Sequence, residues 1–227
     1  MKRVITVLLA ALLVLSLAAC GSRVETKKLA GTWTCTIDVT DRMNAAAEQA
    51  LGLSAADGAA KMPLQLVLTV TEDGAYTLRY DSDAARTALD AYAAALRPAA
   101  VESVYAAAEE QGLSREEYDA AMEKAGITMD DMVAAIFAGV DEEELLSLLT
   151  GRSAAITGYC RAEGGQLYLA DTAAELAETA DCLSYTLSDG TMTWTDAQGE
   201  LSSQLTEQEQ ELLRVPLTWT KRAEESK

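Results

Sequence analysis

The chain has no histidine among its 227 residues. A Ser-His-Asp triad, a Cys-His pair, a His-based zinc helix and an imidazole proton shuttle therefore cannot be assembled from it. Carboxylates are its abundant titratable groups, 36 Asp and Glu against 18 Lys and Arg. Two carboxylates flanking a glycosidic bond would serve hydrolysis, and by type the candidates are Glu109 with Glu110, Glu116 with Glu117, and Asp130 with Asp131. Each pair falls in the first turn or on an exposed face of a predicted helix, where negative charge favours the helix dipole and solubility instead. The run Asp141 to Glu144 reads the same way. Asp81-Ser82-Asp83 opens like a calcium loop but lacks the Gly and the distal Glu at their spacing. Phosphate loop, dinucleotide fingerprint, nucleophile elbow and CxxC pair are all missing. No catalytic residue and no metal ligand is assigned, no cofactor is expected, and the protein is expected not to be an enzyme.

Four cysteines remain to be placed. Lys2 and Arg3 precede an uncharged apolar run from Val4 to Leu17 and then Ala18-Ala19-Cys20, which is the plan of a secretory signal and too short for a membrane span. Leu17-Ala18-Ala19-Cys20 resembles the lipobox of bacterial lipoproteins, in which cleavage precedes the Cys and that Cys is acylated. This resemblance implies residues 1–19 as signal peptide, Cys20 as the lipidated residue and residues 20–29 as a lipidated, solvated tether. Its partner would be a membrane, reached through the lipid, and its location the surface of the bacterial cell membrane or envelope. Cys35, Cys160 and Cys182 then number three, so at most one bridge is open to them, in any of three pairings. Burial as small hydrophobes is equally open. Loss of Lys2 and Arg3 takes the formal charge from −18 to about −20, which repels nucleic acid and excludes it as a partner.

The elements that must position these groups alternate with period two. Trp33, Cys35, Ile37 and Val39 mark a first strand; Leu64 to Val70 and Tyr76 to Tyr80 flank an Asp73-Gly74 turn. Ile156 and Cys160 alternate around Gly158 and lead through Gly164-Gly165 to Leu167 and Leu169. Leu183, Tyr185 and Leu187 precede Asp189-Gly190, and Met192 and Trp194 follow. Val215, Leu217 and Trp219 end the list, with Pro216 expected to distort that strand. The expected fold is α+β and mainly β, an eight-stranded antiparallel up-and-down barrel over residues 30–222 with a tail at 223–227.

A long α-helical insertion, residues 84–149, interrupts the barrel between strands 3 and 4. It is Ala-rich and acidic. Pro98 is expected to break its first helices apart. Ser114 with Glu117 and Thr128 with Asp131 mark helix starts, Gly126 and Gly139 mark helix ends, and Asp141 opens a last helix carrying Leu145, Leu146, Leu148 and Leu149. Smaller helical pieces are expected at Met43 to Leu53, Ala173 to Ala180 and Glu207 to Leu212. Two placements are open, a lid over one barrel mouth or a bundle beside it.

Gly31-Thr32-Trp33 stands at the start of the first strand and resembles the opening signature of lipocalin and calycin barrels, lipocalin-like bacterial lipoproteins among them. The resemblance implies a Trp33 packed across one barrel end beside a basic residue of the last strand, Lys221 or Arg222. It implies fold rather than activity. Two functions follow. One is a lipid-anchored extracytoplasmic protein binding a small apolar or amphipathic ligand near Leu68, Tyr76, Leu78, Tyr80, Tyr185 and Trp194. The alternative is a non-enzymatic structural or interaction module of the cell envelope, meeting a protein partner through an exposed stripe at Met132, Ile136 and Phe137.

Overall fold

A computed structural model of the chain describes residues 24–53, 61–138, 155–179, 181–198 and 214–223. The expected signal peptide, Cys20, the helix from Asp141, the piece at Glu207 to Leu212 and most of the tail lie outside the described residues. The described residues up to Cys35, those of Leu66–Tyr80 and those after position 154 form one compact unit. The described residues of Thr36–Gln65 and of 81–138 form the other.

Eight strands, β1 (Gly31–Asp38), β2 (Pro63–Val70), β3 (Ala75–Tyr80), β4 (Ile156–Glu163), β5 (Gln166–Ala170), β6 (Cys182–Ser188), β7 (Thr191–Gln198) and β8 (Leu217–Lys221), close into an antiparallel barrel. Each strand neighbours the next in sequence and β8 returns to β1, which is the up-and-down order. Alternation builds the interior. Leu66 faces Tyr80, Leu68 faces Leu78 and Val70 faces Tyr76 across β2 and β3, while Leu167 faces Leu183 across β5 and β6. On β7, the register shifts opposite Ser184 and Tyr185, so that Tyr185 meets Trp194. The last strand begins at Leu217, after Pro216 rather than around it, because a residue without an N–H serves poorly inside a ladder.

Residues 24–29 form a helix, α1, where a solvated tether was expected. The Thr26 hydroxyl accepts the Ala162 backbone N–H at 3.0 Å, and the Glu25 carboxylate accepts that of Gly164 at 2.8 Å. Thr26 and Leu29 are buried. Polar composition pointed to solvent, but an i, i+3 pair of inward residues is enough to fix one helical turn to the sheet.

The second unit contains α2 (Thr40–Leu51), α3 (Ser82–Glu110), α4 (Arg115–Ala125) and α5 (Met129–Phe137). Pro98 does not break the first helix: α3 runs through it for 29 residues. Tyr92, Leu96, Ala100 and Val104 are buried at i, i+4 spacing on both sides of the proline, so packing holds one axis. Pro98 itself is exposed, as is Ala94, whose carbonyl loses its helical partner and can turn to water. Ser114 with Glu117 and Thr128 with Asp131 close reciprocal capping boxes, and Gly126 ends α4 in the left-handed region. The expected piece at Ala173 to Ala180 is one 3-10 turn, Glu175–Ala177. Among the described residues, helix at 44% exceeds strand at 33%, a larger helical share than the mainly β expectation.

Candidate ligand site in the barrel

One barrel end is covered by Trp33, which is buried, and by the Lys221 side chain across it. The Trp33 indole N–H donates to the Leu29 carbonyl at 2.7 Å. Lys221 is its cross-strand partner, with Nζ 5.3 Å from the Trp33 ring centroid, a cation–π contact. Gly31 has a φ of +128°, a backbone conformation that favours glycine, and the flexible end of the Lys221 side chain crosses it, with Cε 2.7 Å from where a Cβ would stand. Of the two basic residues implied by the resemblance, Lys221 covers Trp33, while the Arg222 backbone N–H donates to the Thr32 carbonyl at 2.8 Å.

The six residues expected to line a ligand site lie on the inner face. Leu68 and Leu78 are buried opposite each other, and Tyr76, Tyr80 and Tyr185 are half-buried. Gly158 lies opposite Tyr76, where an added Cβ would lie 2.9 Å from the ring and 2.6 Å from the Ala170 carbonyl oxygen. The missing side chain is thus what lets the Tyr76 ring cross β4. Burial pushes the Tyr76 phenol up to about 12, with the charges of Asp171 and Cys160 adding to it. Burial likewise raises Tyr185, assisted by Glu25 and Cys160.

Trp194 packs against Trp219 of the last strand. Their ring centroids are 4.8 Å apart with planes inclined by 49°. Both are buried, at 5% and 0% exposure, and neither indole N–H has a hydrogen-bond partner among the described residues. An unmet buried donor costs about 1–3 kcal/mol. No sequence signal marks this property, since it depends on every neighbour of the two rings.

The three described thiols are free and buried. Cys160 is pushed up to about 12 by burial, and Cys35 is raised by the same cause against an opposing backbone hydrogen bond from Thr218. Neither is a thiolate at neutral pH, the form a nucleophile needs. The described inward side chains around Trp194 and Trp219 are apolar or aromatic, among them Leu217, Met192 and Tyr185.

The acidic pairs are tied into the helical unit. Arg115 binds Glu102 through two hydrogen bonds, at 2.7 and 3.1 Å, reaches Glu109 at 3.2 Å and covers the Tyr105 ring at 4.7 Å. Arg97 pairs with Asp130. Glu117 and Asp131 are held below the usual carboxylate range by their capping bonds to Ser114 and Thr128. Among the described residues no cluster of three metal-ligating side chains occurs. Met132, Ile136 and Phe137 are half-buried, and the last two pack against Leu53, Ala100 and Val133 of their own unit. The same unit holds a cavity of about 230 Å³, lined chiefly by Ala46, Ala47, Ala50 and Ala93 with Met43, Leu89, Leu96 and Phe137. Alanine at these α2 and α3 positions leaves the space.

Compared with family models, with curated proteins and with solved structures, the chain finds no match in any of the three.

Proposed function

We propose that the chain is a lipocalin-like lipoprotein, exported, anchored to a membrane through Cys20, and binding a small apolar or amphipathic ligand inside its barrel. The observation that carries this reading is a closed eight-stranded barrel stopped at one end by Trp33, Lys221 and Leu29, with a pair of unsatisfied indoles facing inward beyond it. Up-and-down barrels of this strand number hold one small ligand or fill with side chains. Buried donors left without acceptors favour the first outcome. The address rests on the sequence alone, on Lys2, Arg3, the run Val4 to Leu17 and the lipobox ending at Cys20.

The alternative, an envelope interaction module, relied on an exposed stripe at Met132, Ile136 and Phe137. Half-burial of all three weakens that support. Native mass spectrometry of the protein purified from the cells that make it tests the binding reading. A non-covalent mass that leaves on denaturation, while any acyl chains stay attached, is the expected result. A bare protein mass with no such loss would transfer weight to the interaction module.

A further inference from the structure

The three tryptophans of the chain are Trp33, Trp194 and Trp219, and they divide by what their indole N–H groups do. Trp33 spends its donor on the Leu29 carbonyl at 2.7 Å. Trp194 and Trp219, on adjacent strands and 4.8 Å apart, have both donors buried and unpartnered among the described residues. Buried polar groups in folded proteins are almost always matched, by protein, water or ligand. Two unmatched donors of one kind, side by side, mark a place where an acceptor belongs.

The surroundings decide what kind of acceptor. The cross-strand partners of the pair, Tyr185, Leu217 and Met192, are uncharged. Lys221, two positions beyond Trp219 on β8, lies at the barrel end with its ammonium over the Trp33 ring. A carboxylate brought here would lose its hydration without gaining a cation, which is prohibitive, whereas a carbonyl needs only the donors. Strand β4 lies four strands from β8 in the closed order, hence across the barrel, and there it presents the small side chains of Cys160 and Ala162.

We infer that the barrel's ligand is a neutral amphipathic molecule carrying a carbonyl oxygen, of the ester, amide or ketone class, held by the indole N–H groups of Trp194 and Trp219. The inference rests on the barrel-binding reading above and adds the polar contact and the ligand class to it.

The test uses the full chain carrying Cys20→Ser, with ¹⁵N in its indoles, which gives one N–H resonance for each of the three tryptophans. Three probes are added in turn: methyl decanoate, undecane and decanoate. Methyl decanoate is expected to move the Trp194 and Trp219 resonances downfield, leave Trp33 in place, and bind about three- to tenfold more tightly than undecane, the value of one or two net hydrogen bonds. Decanoate is expected to bind more weakly than the ester. Trp194→Phe should bring the ester's affinity down towards that of undecane while leaving undecane unchanged. If that variant does not fold, the parent's three resonances decide alone. Equal binding of ester and undecane, with no downfield shift, overturns the inference and leaves the binding barrel standing. Tighter binding of decanoate overturns the neutral class. Failure of all three probes to perturb any resonance overturns the binding reading itself.

Discussion

Burial in the barrel holds the Cys160 thiol and the Tyr76 phenol protonated up to about 12, against ordinary values of 9.0 and 10.0. Desolvation is the leading cause for both, because each group would carry its charge only after losing its proton. In the unfolded chain these protons leave near their ordinary values. The native state therefore binds more protons than the unfolded state between about pH 9 and 12. Stability is full below that window and declines as pH rises through it. Replacing Cys160 with Ala removes one of the two contributions, so the urea midpoint of Cys160→Ala should fall less steeply between pH 9 and 11 than that of the parent. Parallel slopes would mean that the thiol is not desolvated. At this scale the sequence revealed identity and face but not energetics: the inward direction of Cys160 follows from alternation, whereas its protonation depends on neighbours drawn from distant strands.

Helix α3 illustrates how an element can override a local signal. Pro98 removes one backbone donor in the middle of a 29-residue helix, a defect typically costing about 3 kcal/mol relative to Ala. The helix persists because Leu96 and Ala100 on either side are buried on one face. Since Pro98 is exposed, Pro98→Ala adds a hydrogen bond without disturbing that face. Its expected effect is a gain of about 1–3 kcal/mol in the helical unit, less any entropy the proline removes from the unfolded chain, measured as a rise in the denaturation midpoint. An unchanged midpoint would show that α3 already bends to satisfy the Ala94 carbonyl. The strands, the turns and both capping boxes were legible because each is written within a few residues: Ser114 and Glu117 find each other wherever the helix goes. The continuity of α3, the docking of α1 and the choice of Lys221 over Arg222 were not, because each depends on a face presented by another element. Leu29 looks like part of a solvated linker until the Trp33 indole needs its carbonyl.

For the whole molecule, net charge and anchoring pull in opposite directions. A chain with a formal charge of −18 has no electrostatic affinity for anionic lipid, so attachment to a membrane would have to come from acyl chains. Cys20→Ser should therefore move the protein wholly into the soluble fraction, at low salt as at high salt. Recovery of the variant with membranes after a high-salt wash would point to a second, apolar attachment. The seam between β1 and β8, which makes the sheet a barrel, has a further consequence. It is short, pairing Trp33 with Lys221 and Thr34 with Thr220, and the latter contact spans 186 positions. Contacts of such separation form late, after the loop entropy has been met by everything between them. Until β8 is available, β1 and β7 are bare edges, the kind that pair with other chains. Closure thus rests on the five residues Leu217–Lys221: where they fail to pair, β1 and β7 stay open to strands of other chains.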